Sequence, residues 1–298
     1  MKLLFVGVFD PLNRSTNNAQ LRGFMKLDCQ VMIYNFRERA LHLGNEGRDQ
    51  RLVGICQEKK PDLVVFSKCS EISLRTFEEC SKISTTCLWW MDPLTTLEET
   101  AAYAKTYEKA KIVDYICTGV KNTIPVFEKY NQNIFYILEG YDHKFHKPYD
   151  LEQDLDVTFI GSLHSARSQL ISQINHPVGH FSNVFANEHA KVVSRSKINL
   201  NFSTAGGASD RVYKILGSGG FLLTSDWEGR SELFEDGEDL VIYKDFDDLN
   251  KKIDFFLKNP EVRKEIASQG FERVQDMTKD EWAKKVIDFY KEIKNEKN

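Results

Sequence analysis

The sequence predicts an α/β protein built from two Rossmann-like domains. Three observations carry that prediction. Apolar runs of strand length alternate with helix-compatible stretches, a polar segment interrupts them near mid-chain, and the strand that follows repeats the first. Length agrees: 298 residues make about two domains of ~150 each. With 41% hydrophobic and 28% charged residues, the composition is that of an ordinary globular chain. A net charge of -4 argues against a general basic face for nucleic acid. No apolar run approaches the ~18–20 residues that span a bilayer.

The first half carries six expected strands, at residues 3–8, 31–36, 63–66, 86–90, 115–118 and 134–138. Helices are expected between them at 17–27, 49–59, 73–80, 97–110 and 124–129. The opening Lys2-Leu3-Leu4-Phe5-Val6-Gly7 reads as a buried strand and not as a signal peptide, since no small-residue cleavage site follows. Residues 143–154 are polar, contain Pro148 and read as a linker. Asp156-Val157-Thr158-Phe159-Ile160-Gly161 then repeats the opening strand, with an arginine several residues on in each case (Arg14, Arg167). The expected domains are therefore 1–148 and 155–298. In the second, strands are expected at 157–160, 198–202, 221–224 and 240–243, and helices at 166–174, 187–194, 211–216, 248–257, 261–269 and 279–293. Trp282, Val286, Phe289 and Ile293 recur at helical spacing, so the last helix has one face to bury. The six cysteines (Cys29, Cys56, Cys69, Cys80, Cys87, Cys117) form no Cys-x-x-Cys pair and read as reduced, buried thiols of a cytoplasmic protein.

Several sharp motifs are absent: Gly-x-Gly-x-x-Gly after a strand, the Walker loop, Gly-x-Ser-x-Gly and His-Glu-x-x-His. Asp245-Phe246-Asp247 could chelate a divalent metal, but a carboxylate capping the next helix explains it more cheaply. The informative stretch is residues 199–224. A strand ends in the small-residue loop Ala205-Gly206-Gly207-Ala208, and a helix follows with Asp210 as its expected N-cap. Such a helix start favours phosphate, and Arg211 and Lys214, one turn apart, add two positive charges. Gly161, Ser162 and Arg167 form a second loop after a strand, with donors suited to a diphosphate. Both loops fall at carboxyl ends of strands, where open α/β sheets bind ligands. Together with Gly207 they describe a site for a nucleotide diphosphate. Phe181, Ser182 and Asn183 are candidates for the loop that meets the base.

Residues 211–224, then Glu228-Gly229-Arg230-Ser231-Glu232-Leu233-Phe234-Glu235-Asp236-Gly237, resemble the C-terminal domain of the CgeB-like (spore maturation type) glycosyltransferases. Asn259-Pro260-Glu261-Val262-Arg263 and Trp89-Trp90-Met91-Asp92-Pro93 fit the same family. The resemblance covers roughly residues 85–298. It implies the GT-B architecture: two Rossmann-like domains facing a cleft, an acceptor on the first, a nucleotide sugar of UDP or GDP type on the second, and the last helix crossing back. It also implies a metal-independent hexosyltransferase without a cofactor beyond its nucleotide-sugar substrate. The acceptor stays open among glycan, protein, small molecule and DNA. Retaining relatives carry two glutamates whose positions correspond here to Gly206 and Lys214, so the stereochemical outcome stays open too. The competing reading is a non-catalytic nucleotide-sugar-binding or scaffolding protein of the same fold. For the acceptor base, Asp92 leads because it follows a strand and precedes Pro93. Asp10, at the end of the first strand, is second and His42 third; Ser15, Thr16 and Asn17 fit helix capping as well as acceptor contact.

Overall fold

The computed structural model describes residues 1–94, 101–163, 165–203 and 207–296. The chain divides into two compact units, Met1–Leu138 with Lys279–Asn298, and Glu139–Thr278. In the first unit the strands are β1 (Lys2–Gly7), β2 (Gln30–Asn35), β3 (Leu63–Ser67), β4 (Thr85–Trp90), β5 (Tyr115–Thr118) and β6 (Ile134–Tyr136). Its helices are α1 (Thr16–Met25), α2 (Phe36–Lys59), α3 (Leu74–Ser81), α4 (Ala101–Ile112) and the short α5 (Ile124–Phe127). The second unit holds β7 (Leu155–Ile160), α6 (Ser165–Ile171), β8 (Gly179–Phe181), α7 (Ala186–Arg195), β9 (Ser196–Asn201), α8 (Asp210–Gly217), β10 (Leu222–Ser225), β11 (Val241–Tyr243), α9 (Phe246–Lys258) and α10 (Pro260–Arg273). Helix α11 (Lys279–Glu296) returns to the first unit.

Each unit has its own all-parallel sheet, in the order β2-β1-β3-β4-β5-β6 and β11-β10-β9-β7-β8. In both, the strand order reverses beside the opening strand: between β1 and β3, and between β7 and β9. A crevice opens at the carboxyl end of a parallel sheet where the order reverses. The inner strands are buried on both faces, as crossover helices require, while the edge strands β2, β6 and β8 are half-buried. On one face of the first sheet, α1 and α11 close over Phe5, Phe24, Trp89 and Trp282; the Trp282 ring lies 5.2 Å from both Phe24 and Trp89. Gly23 is required there, because a Cβ would stand 2.4 Å from the Lys279 carbonyl oxygen.

The structure moves several expected boundaries. The division falls at residue 138 and not at 148, because the expected linker folds onto the second unit. Tyr141 N–H donates to the Met277 carbonyl, His146 is buried against His189, and Tyr149 N–H donates to Ser194 Oγ. Helix α2 starts at Phe36, well before residue 49, and kinks at Gly44 (φ +68°). Exposed residues on most sides of its first turns hide the apolar period. The edge strand β8 was absent from the expectations, since three residues carry too little pattern to read. Residues 97–100 of the expected helix at 97–110 lie outside the described residues. Asp245 caps α9 by accepting from Asp248 N–H at 2.8 Å. Among the described residues no group of three His, Cys, Asp or Glu could hold a metal, and no helix is long and apolar enough to cross a membrane. All six cysteines are free.

Trp282 is 1% exposed and anchors α11 to the first unit through that aromatic contact. Trp282→Ala is expected to lower the unfolding free energy of this unit by about 3–5 kcal/mol, measured by urea denaturation.

Candidate functional site

In the second unit the crevice between β7 and β9 is spanned by one side chain. Arg211, in the first turn of α8, donates through Nε to the Ile160 carbonyl at 2.7 Å and through Nη1 to Asn201 Oδ1 at 2.7 Å. It thus ties the ends of β7 and β9 together. Gly161, the next residue after β7, sits under the same guanidinium: a Cβ there would lie 2.7 Å from Nη2, and its φ is +149°. The expected backbone approach at Gly161 is therefore made by an arginine of the protein itself. The Arg211 guanidinium lies over the Phe159 ring, 5.0 Å from its centroid, and Arg167 lies over the same ring at 5.7 Å. Burial lowers the Arg211 pKa to about 10, with the neighbouring Arg167 charge adding to it. Burial also lowers that of Arg167. Neither guanidinium meets a carboxylate among the described residues. Arg167 Nη1 donates to the Ser162 carbonyl at 3.2 Å, and its Nε is buried without a partner. Two desolvated cations thus share one ring with donors to spare, an arrangement chemically suited to an anion.

The other expected donor residues fall around this pair. Ser209, not Asp210, is the N-cap of α8, and its side chain makes no capping bond; its Oγ faces Asn201 Oδ1 at 3.4 Å. Asp210 instead pairs with Lys214 Nζ at 2.5 Å, so Lys214 faces a carboxylate on its own helix. Gly207 is buried and its carbonyl accepts from Ser203 Oγ at 2.5 Å. Phe181 ends the edge strand β8 beside β7, and its carbonyl accepts from Gly161 N–H at 2.9 Å; Ser182 and Asn183 follow, exposed. His164 and Gly206 lie outside the described residues.

In the first unit a cavity of about 620 Å³ opens at the corresponding crevice, between β1 and β3, with Asp10, Asn17, Lys68 and Asp92 in its lining. Here Asn17 does the spanning. Its Oδ1 accepts from Val8 N–H at 2.8 Å and its Nδ2 donates to Ser67 Oγ at 2.7 Å. Gly7 lies under it, with 2.6 Å between an added Cβ and Asn17 Oδ1. Asp10 accepts the backbone N–H groups of Leu12, Arg14 and Ser15, so its carboxylate shapes its own loop. Asp92 is differently placed. One carboxylate oxygen pairs with Lys68 Nζ, and the other has no partner among the described residues. Trp90 Nε1 fixes the turn by donating to the Asp92 carbonyl at 2.8 Å. His42 lies exposed on α2 and is not in the lining.

Sequence reasoning missed Asn201, Phe159, Lys68 and the His146–His189 pair. Asn199 and Asn201 alternate with Ile198 and Leu200 in a strand that had to be buried. A polar residue in such a position needs a partner, and that was the legible signal.

Residues 143–288 match the family model described as glycosyl transferase-like. The structure of Anabaena HepE in complex with UDP-glucose superposes with a TM-score of 0.71, covering 97% of this chain and 99% of that one at 11% identity. The fold is that of the GT-B glycosyltransferases. A Rickettsia africae glycosyltransferase shares this GT-B fold at a TM-score of 0.64 and 10% identity, over 98% of both chains. The pneumococcal O-GlcNAc transferase GtfA in complex with UDP and GlcNAc reaches 0.57 at 14% identity, over 83% of this chain and 60% of that one. No curated protein matches in sequence.

Near Lys214 and Asp210, the rings of His146 and His189 meet edge to face, centroids 5.2 Å apart. Burial pushes the His146 pKa down to about 4, with the Lys214 charge adding to it, and holds His189 well below its ordinary value. Both are then neutral in the folded unit at neutral pH. Below pH 6.5 the unfolded chain takes up protons that the folded one refuses, so stability falls as the pH drops toward about 4. Replacing both by Phe is expected to flatten that slope in thermal melts run between pH 7 and 4.

Proposed function

We propose that this protein transfers a hexose from a nucleotide diphosphate sugar, of UDP type, to an acceptor hydroxyl. The observation that carries the reading is the pair Arg211 and Arg167, two partly desolvated guanidiniums that meet no carboxylate among the described residues, at the strand-order reversal of a glycosyl transferase-like domain. The UDP complexes of HepE and GtfA support the choice of nucleotide. In this reading Arg211 Nη2, Arg167 Nε and the uncapped start of α8 receive the diphosphate. As the bond from sugar C1 to the phosphate oxygen breaks, charge grows on that oxygen, and the cations stabilise it more than they stabilise the bound donor. The acceptor hydroxyl is assigned to the first unit, where the open oxygen of Asp92 takes its proton as the oxygen attacks C1. Lys68 orients that carboxylate. No divalent metal is required, because the guanidiniums do its work.

The test is UDP release from UDP-glucose and UDP-GlcNAc, with thermal shift by UDP read in parallel. Turnover supports the reading. A UDP shift without turnover supports a binding protein instead, and the absence of both overturns the donor site. Arg167→Ala, which gives up one 3.2 Å bond, should lower kcat/KM by roughly 10²–10³ with little change in stability. Arg211→Ala should lower kcat/KM as much and also cost about 1–3 kcal/mol of stability, because it strips buried Asn201 and Ile160 of a donor.

Turnover is expected to survive EDTA. Loss that Mn²⁺ or Mg²⁺ restores would count against a metal-free site.

A further inference from the structure

Lys68 reaches Asp92 from an unusual backbone. Lys68 (φ +58°) and Cys69 (φ +53°) are consecutive non-glycine residues in the left-handed region, directly after β3. Each such residue is unfavourable by itself and persists where its surroundings hold it. Part of the hold is local: Lys68 N–H donates to the Trp89 carbonyl and Cys69 N–H to the Ser67 carbonyl. The rest comes from α4. Lys109, 1% exposed, donates through Nζ to the carbonyls of Cys69 and Ser70, at 2.9 Å each. Its ammonium also lies 5.0 Å from the centroid of the Phe77 ring. A buried lysine whose hydrogen bonds go to two adjacent loop carbonyls is a clamp on that loop. Burial lowers its pKa to about 8; Cys69, Lys105, Asp49 and Arg48 are the titratable and charged groups around it.

We propose that Lys109 is a positioning residue for acceptor activation: it fixes the left-handed Lys68–Cys69 turn, and through that turn the Lys68 ammonium that orients Asp92. The ammonium touches neither donor nor acceptor. The proposal rests on the reading of Asp92 as the base, and the experiment separates the two.

The measurement is kcat and donor KM for UDP release, with the nucleotide sugar that the wild type hydrolyses fastest, in Lys109→Met, Lys68→Met, the double variant and Asp92→Asn. Lys109→Met and Lys68→Met are each expected to lower kcat about tenfold with donor KM and the UDP thermal shift unchanged, since the second unit is untouched. The double variant should fall no further than Lys68→Met, because both act through one ammonium. A merely structural loss would multiply in the double variant, and that result overturns the proposal, as does wild-type kcat in Lys109→Met. If Lys109→Met does not fold, Lys109→Gln, one bond shorter and without the charge, withdraws the ammonium from the two carbonyls while keeping a polar group in the buried space, and carries the same comparison. Wild-type kcat in Asp92→Asn overturns the base assignment and the clamp together. An inactive Asp92→Asn beside a fully active Lys109→Met overturns the clamp alone.

Discussion

The architecture of both units depends on one arrangement: a polar side chain lying across the crevice where the strand order reverses, over a glycine that leaves it room. In the first unit Asn17 joins the ends of β1 and β3 above Gly7. In the second, Arg211 joins β7 and β9 above Gly161. Parallel strands diverging at a reversal leave carbonyl and N–H groups that no ladder partner reaches, and a buried polar group without a partner costs ~1–3 kcal/mol. The spanning side chain satisfies them. A Cβ on either glycine would occupy its place.

The two units use that solution to different ends. Asn17 is neutral and its amide is fully engaged, with Nδ2 also donating to Gln20, so the first crevice is closed by a structural bracket, and the Asp92–Lys68 pair lines the cavity outside it. Arg211 is charged, and its Nη2 stays beside Gly161 after the other nitrogens are bound. The bracket of the second crevice is thereby also a charge, reinforced by Arg167 on the same Phe159 ring.

Much of this was legible in the chain. The repeated strands ending at Gly7 and Gly161, the loop before Arg211 and the apolar face of Trp282 all state short-range constraints, which sequence carries well. What was hidden is long-range or local in backbone. Nothing near Lys109 says that its ammonium will close a loop 40 residues earlier, at Cys69. Nothing at Asp10 distinguishes a carboxylate held by three backbone N–H groups from one open to solvent. The polar segment at 143–154 misled for a related reason. His146 reads as surface until its partner His189, buried 43 residues away, is known.

The return of α11 to the first unit bears on how the molecule is made. Synthesis proceeds from the N-terminus, and the 140 residues of Glu139–Thr278 must leave the ribosome before Lys279 does. At ~5–20 residues per second that is an interval of roughly 7–28 s. Throughout it the surface around Phe5, Phe24 and Trp89 lacks its cover of Trp282, Val286 and Tyr290. The nascent first unit is thus an apolar, unfinished sheet while the second unit completes itself downstream. Such a chain buries its oldest hydrophobic surface last.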